Sequence, residues 1–191
     1  MNGSDSPRRA DARRNREKLL AVALRALSQS DEDVPLDAIA KAAGVGIGTL
    51  YRHFPTREAL VEAVYRNEVE RLCGAVDNLL RDLPPDQALR EWMKRFVDYV
   101  ATKRGMSAAL QSVVQADSGL FSETRGRMTD ALKKLLDSGI GAGLIRPDVD
   151  PDDLLRAMRG AWLAADEQAD HAGRLLDLLM DGLRYGAPGK A

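Results

Sequence analysis

From Arg13 onward the apolar residues of this chain recur at helical spacing. Leu19, Leu20, Ala23, Leu24 and Leu27 fall on one stripe, the i, i+3/i+4 repeat of a helix with one buried face. A polar stretch from Ser28 to Asp33 interrupts it. Two short helical patterns follow. Leu36, Ile39, Ala40 and Ala43 mark the first, with Pro35 suited to a first helical position that needs no amide donor and Gly44 suited to the turn that ends it. The second runs from about Gly46 to Phe54, and Pro55 stops it. Thr56 is placed to cap a longer helix that carries Leu60, Val64 and Leu72 towards Leu80.

Asp82-Leu83-Pro84-Pro85-Asp86 is a clear break. Beyond it Leu89, Trp92, Met93, Phe96, Val97 and Val100 make a wide apolar face, which Gly105 ends. A shorter segment covers Met106 to Val114. Phe121, Met128, Leu132, Leu135, Leu136 and Ile140 mark another long helix, closed by a glycine-rich end at 139–143. Asp150-Pro151-Asp152-Asp153 combines a capping carboxylate, a proline at the first position and acids in the first turn, a strong helix start. That helix carries Leu154, Leu155, Met158, Ala161, Trp162 and Ala165, and a last one carries Leu175, Leu176, Leu178, Leu179 and Leu183. No run alternates with the period of a strand. The pattern predicts an all-α chain of about nine helices with no internal repeat.

Composition narrows the chemistry. The 191 residues hold one cysteine and two histidines, so neither a disulfide within the chain nor a paired-cysteine metal or redox site is available. No nucleophile–base pair, ligand cluster or phosphate-binding glycine loop is visible, which argues against an enzyme and against a resident cofactor or metal. Asp166/Asp170 and Glu167/His171 have the i, i+4 spacing that could hold a metal, but read more simply as a solvated loop between helices. Cys73 reads as a small, half-buried filler. The polar start and the lack of a membrane-length apolar run point to a soluble, cytoplasmic protein. The formal net charge is -1, yet residues 1–58 carry ten basic against eight acidic side chains, with the excess gathered between Arg8 and Lys18. A basic segment on a near-neutral chain suggests a local anionic contact such as phosphate.

A long helix followed by two short ones with a glycine turn between them is a three-helix helix-turn-helix unit. In such a unit the first short helix crosses the phosphate backbone and the second lies in the major groove of DNA. Leu50 and Phe54, four apart, face inward, so Gly48, Thr49, Tyr51 and Arg52 face out. The stretch Leu36–Leu60 resembles the signature of the tetracycline-repressor (TetR) family of transcriptional regulators. Most specific are its Gly48-Thr49-Leu50-Tyr51-Arg52-His53-Phe54 run and the following Thr56-Arg57-Glu58-Ala59-Leu60. The resemblance implies DNA contacts from Ile47, Gly48, Thr49, Tyr51 and His53, and a phosphate contact from Arg57. His53 reads equally as a partly buried residue at the helix end. Arg13 and Arg14, at the start of its first helix, are candidate phosphate contacts, and the stretch from Arg8 to Arg16 reads otherwise as a solvated, flexible arm. The chain departs from the family at Val34 and Pro35, where a capping, phosphate-touching Ser or Thr is usual. Gly46, Ile47 and Gly48 cannot make bidentate bonds, so direct base readout falls to Arg52 on guanine and Ile47 on a thymine methyl.

The expected organisation is a flexible basic arm over 1–11, a DNA-binding domain over 12–58, and a ligand-binding and dimerisation domain over 59–191. Trp92, Met93, Phe96, Tyr99, Met106, Leu110, Met128 and Trp162 are ordinary core or, where core is left unfilled, the lining of a pocket for an apolar or aromatic effector. Ala157, Gly160, Ala161 and Ala164 allow close helix approach. With Leu154, and with Leu175, Leu178, Leu179 and Leu183 on the last helix, they are the expected homodimer interface. The expected function is a repressor released from a pseudo-palindromic operator by a small-molecule effector. An activator, or a regulator acting through a protein partner, is the alternative.

Overall fold

The computed structural model describes residues 7–29, 34–116, 119–165 and 168–189. Among the described residues there are ten helical segments and no strand: α1 (Pro7–Gln29), α2 (Leu36–Ala42), α3 (Ile47–His53), α4 (Arg57–Gly74), α5 (Val76–Asp82), α6 (Pro85–Gly105), α7 (Ser107–Ala116), α8 (Leu120–Gly141), α9 (Pro151–Ala164) and α10 (Ala169–Arg184). The predicted helix from Thr56 to Leu80 is interrupted only at Ala75, whose φ of -72° and ψ of -21° remain helical. Counted as one bent helix, α4 and α5 bring the total to the nine expected. Gly74, a weak helix former, stands just before the bend.

Other boundaries moved for physical reasons. Residues 7–11, expected within a flexible arm, are the first turns of α1. Once a helix is nucleated, Ala and Arg extend it without needing an apolar stripe. Pro35 sits one position earlier than expected, at the cap of α2 with φ -62° and ψ 145°. Asp170 and His171, read as loop, lie in the first turns of α10 and are exposed. Asp166 and Glu167 of the same loop reading lie outside the described residues. Thr56 does cap α4, accepting from the Ala59 amide at 3.1 Å. Asp150 caps α9, accepting from the amides of Asp152 and Asp153 at 2.8 and 3.1 Å.

The chain divides into two compact units, Met1–Asn67 with Lys103–Ser118 and Glu68–Thr102 with Gly119–Ala191. The core of the first is built from Leu19, Leu20, Ala23 and Leu27 of α1, Ile39 and Ala40 of α2, Leu50 of α3, Leu60, Val61, Val64 and Tyr65 of α4, and Leu110 and Val113 of α7, all buried. Gly44 closes α2 in the left-handed conformation, φ 68°. The Val45 amide donates to the Ala40 carbonyl at 3.0 Å and the Gly44 amide to Lys41 at 3.1 Å, the paired bonds of a Schellman end. Gly105, the last residue of α6, lies so close to α1 that a Cβ there would stand 2.8 Å from the Ser28 carbonyl oxygen.

In the second unit α6, α8, α9 and α10 each bury one face. Leu89, Trp92, Met93, Leu132, Leu135 and Met158 are wholly enclosed. Trp92 donates through Nε1 to the Leu72 carbonyl at 2.9 Å, satisfying one of the carbonyls at the end of α4. Two ion pairs tie the first turns of α6 to the second half of α10, Arg184 to Asp86 at 2.6 Å and Arg90 to Asp177 at 2.6 Å.

Two glycine substitutions should move stability in opposite directions. Gly126 lies within α8 and a Cβ there would meet nothing within 4 Å, so Gly126→Ala should stabilise by about 0.5–1 kcal/mol through helix propensity. Gly105→Ala should instead cost about 1–2 kcal/mol, because backbone has to move to admit the methyl. Urea unfolding of the two variants measures both.

Candidate nucleic-acid interface

The seven residues of α3 are held by what they bury. Leu50 is fully enclosed, and Phe54, the residue that ends the helix, is enclosed beside it. With that side fixed, Ile47 is 41% exposed and Tyr51 49% exposed, large side chains left partly open to the outside. They are four apart and share a face. Gly48 and Arg52 are exposed beside them, while Thr49 and His53 are half-buried. A Cβ on Gly46 or Gly48 would meet nothing within 4 Å. The fold itself therefore does not require glycine at these positions, and their bare backbone leaves room for an outside surface to approach α3.

Three guanidinium groups are fixed around this face. Arg52 donates through Nε to the Gly48 carbonyl at 3.1 Å and through Nη2 to Thr49 Oγ1 at 3.2 Å. Arg57, at the start of α4, donates through Nη1 to the Val34 carbonyl at 2.6 Å. Its charge therefore sits beside Val34 and Pro35, where the family's usual hydroxyl is missing. Arg16 lies over the Phe54 ring, 5.5 Å from its centroid, an arrangement that holds a cation at the end of α3. Arg13 and Arg14 are exposed on α1, with Glu17 3.9 Å from Arg13 and Asp11 paired to Arg14. Arg16 falls in the basic segment read as a phosphate contact, but its placement over Phe54 was not expected. The signal for it was its spacing: it precedes Leu19, Leu20 and Ala23 at helical intervals and so borders the buried stripe.

The eight pocket candidates are all buried, but they are divided. Met106 and Leu110 belong to the first unit, and the other six to the second. Trp92 stacks on Phe96 at 5.8 Å, and Phe96 meets Tyr99 at 5.9 Å, giving an aromatic row along α6. Trp162 is buried, and its Nε1 has no hydrogen-bond acceptor among the described residues. A groove of about 330 Å³ in the second unit is lined by Glu68, Arg71 and Leu72 of α4 and by Arg95, Asp98, Tyr99 and Thr102 of α6. Of the eight candidates only Tyr99 borders it.

Of the expected dimer residues, Leu154 and Leu183 are closed into the chain's own core. Ala157, Ala161, Leu175 and Leu179 are half-buried and Ala164 is exposed. Leu178 is 68% exposed, in company with Leu163 at 51% and Tyr185 at 80%. A Cβ at Gly160 or Gly182 would meet nothing within 4 Å. Ala157, Gly160, Ala161 and Ala164 share one side of α9, and Leu175, Leu178, Gly182 and Tyr185 share one side of α10. Among the described residues no group of three His, Cys, Asp or Glu side chains is placed to hold a metal ion. No helix there is long and apolar enough to cross a membrane.

Comparison with known proteins gives two family matches. Residues 19–64 match the family described as "Bacterial regulatory proteins, tetR family". Residues 84–185 match "Transcriptional regulator SbtR-like, C-terminal domain". The structure is similar to that of the TetR transcriptional regulator SCO0520 from Streptomyces coelicolor, at 48% identity and a TM-score of 0.82, covering 90% of this chain and 99% of that one. The HTH-type transcriptional repressor KstR of Mycobacterium tuberculosis is 26% identical over 161 residues, 81% of this chain and 71% of its own length. The HTH-type transcriptional regulator SAR0097 of Staphylococcus aureus is 31% identical over 85 residues, 43% of this chain, which spans only 44% of that regulator's length.

The remaining candidate chemistry is the thiol of Cys73, half-buried near the end of α4. Burial pushes it up from its ordinary value near 9 to about 11, against the pull of the Arg127 guanidinium, with the Glu70 and Asp130 carboxylates raising it further. The folded thiol therefore stays protonated where an unfolded one ionises, and stability should decline as pH rises from about 9 through about 11. At pH 8 only about one thiol in a thousand is thiolate. Alkylation by iodoacetamide at that pH should be slow in the folded chain and rapid in denaturant, which a mass-spectrometric time course measures.

Proposed function

The chain belongs to the TetR family of bacterial transcriptional regulators, and from that premise we propose that it is a homodimeric repressor which leaves its operator when a small apolar molecule binds. DNA binding is assigned to residues 12–58, and effector binding and dimerisation to 59–191. The observation that carries the DNA-binding half is the outward face of α3. Ile47, Tyr51 and Arg52 are exposed there over a closed Leu50–Phe54 floor, with the Arg57 and Arg16 cations fixed in the same unit. Arg52 reads guanine and Ile47 a thymine methyl in the major groove. Gly48, Thr49, Tyr51 and His53 make close contacts to backbone and bases, while Arg57, Arg13 and Arg14 neutralise phosphates. The repressor sense follows the relatives named as repressors.

Dimerisation is supported by the uncovered apolar sides of α9 and α10. Small residues on α9 and Leu178 and Tyr185 on α10 would pair with their copies about a two-fold axis. Two heads then meet successive faces of one duplex, and the operator is a pseudo-palindrome. The effector is apolar or aromatic and occupies the second unit. The unpaired indole N–H of Trp162 favours an effector with a neutral acceptor, since burying that donor without one costs free energy. Because α4 and α6 each continue from one unit into the other along the chain, an effector that shifts either helix can alter the head. Release requires that the effector bind the DNA-incompetent state more tightly; equal affinity for both states shifts nothing. A chain with this function works in the cytoplasm.

Fluorescence anisotropy on DNA from upstream of its own gene, followed by footprinting, tests the reading. Protection should cover two half-sites related by a dyad, about 10–10.5 bp apart or a multiple of that; a single asymmetric site overturns it. Arg57→Ala should weaken binding to all sequences alike and lower the salt slope by about one unit per half-site. Leu178→Asp should yield monomers by sedimentation at micromolar concentration, whereas an unaltered dimer would place the interface elsewhere.

A further inference from the structure

Arg52 is exposed, yet its side chain is not loose. A guanidinium is planar and offers two edges of donors. One edge is formed by Nε–H with the neighbouring Nη2–H. The other, at the end of the side chain, is formed by Nη1–H with the second Nη2–H. In α3 the first edge is occupied twice by the helix itself, Nε–H on the Gly48 carbonyl at 3.1 Å and Nη2–H on Thr49 Oγ1 at 3.2 Å. The end edge is left for an outside partner.

From this geometry we propose that Thr49 is a positioning residue, whose hydroxyl holds Arg52 so that the end edge of the guanidinium is presented to the guanine it reads. The inference rests on the assignment of Arg52 as a base reader. An arginine has four side-chain torsions to fix before it can make a bidentate bond, and ordering them opposes binding. Two bonds to its own helix, three and four residues back, fix that geometry before DNA arrives. The Gly48 carbonyl is backbone and accepts from whatever side chain lies over it. Thr49 Oγ1 is the part of the arrangement that the sequence can tune. Thr49 is half-buried, so its hydroxyl is steadied by the surrounding helix, and changing it leaves Leu50 and Phe54 untouched. The consequence is that discrimination at one base pair depends on Thr49 beyond what its own contact to DNA contributes to affinity.

The experiment uses the full-length protein and its footprinted operator, with each guanine of a half-site replaced in turn by 7-deazaguanine, which lacks the N7 acceptor. The unaltered protein should lose about tenfold in affinity at one guanine. Arg52→Ala should abolish that penalty; a penalty that persists in Arg52→Ala, or is absent from the unaltered protein, overturns the guanine reading itself. Thr49→Val keeps the side-chain shape without the hydroxyl. It should shrink the penalty to about twofold, over and above any loss of affinity common to all DNA, and Thr49→Ser should restore the penalty. If Thr49→Val keeps the full penalty while Arg52→Ala loses it, the positioning role is wrong and the guanine reading stands. If Thr49→Val weakens every sequence equally and keeps the full penalty, Thr49 acts only through its own DNA contact and the proposal fails. Thr49→Ala serves as the second hydroxyl-free variant, with circular dichroism confirming that each is folded.

Discussion

A helix of seven residues has no stability of its own, because nucleation costs more than so few hydrogen bonds return. α3 therefore exists only through Leu50 and Phe54, which are enclosed while every neighbouring residue of the helix is at least partly open. That single constraint sets the rotation of α3 about its axis. Rotation in turn decides that Ile47, Tyr51 and Arg52 point outward, and that Thr49 lies within reach of Arg52. The Schellman end at Gly44 contributes the other half of the constraint, since it fixes how the chain leaves α2 and enters α3. The cation of Arg16 over the Phe54 ring and the bond from Arg57 to Val34 are arranged around the same anchored helix.

The second unit uses a different principle. Its helices are long enough to present continuous faces, so packing is spread over many residues, and α6 contributes a stripe of enclosed side chains, Ala88, Leu89, Trp92, Met93, Phe96, Val97 and Tyr99. Among the described residues nearly all of its buried side chains are apolar; Thr124 is the buried polar one, and it donates to the Leu120 carbonyl within its own helix. α4 and α6 are shared between the units along the chain, and the groove lined by Glu68, Leu72, Tyr99 and Thr102 lies on these two helices. The last turn of α6 then contributes Gly105, packed against Ser28, and Lys103, whose ammonium lies 5.3 Å from the centre of the Tyr65 ring.

Most of the architecture was legible in the spacing of apolar residues, because each long helix has a one-sided face and chemically marked ends. Thr56, Asp150 and Gly44 do what their side chains or backbone freedom suggested. The start of α1 was not legible, since a helix extended by Arg and Ala before its first apolar contact leaves no periodic trace. Nor was the bend at Ala75, which interrupts the helix without breaking its apolar repeat. In the DNA-facing unit the sequence pointed to which residues face outward. It could not show that Arg52 would be tied back to Thr49, or that Arg57 would stand beside Val34, because both depend on side-chain geometry across a turn or between helices. The pocket was the least legible part. Large apolar residues at helical intervals look alike whether they fill a core or border a space, and Trp92 and Met93 turned out to be wholly enclosed.

The two tryptophans differ in a way that extends beyond packing. The indole N–H of Trp92 is bonded to the Leu72 carbonyl, whereas that of Trp162 has no acceptor among the described residues. Both lie in the second unit, and the DNA-facing unit has none. The chain thus carries two spectroscopically distinct labels in one of its halves. One gives a hydrogen-bonded indole resonance that follows the junction of α4 and α6. The other gives an unbonded resonance, and an emission maximum that responds to any acceptor brought into α9. Light absorbed at the red edge of the protein spectrum therefore reports on one half of the molecule and leaves the other dark.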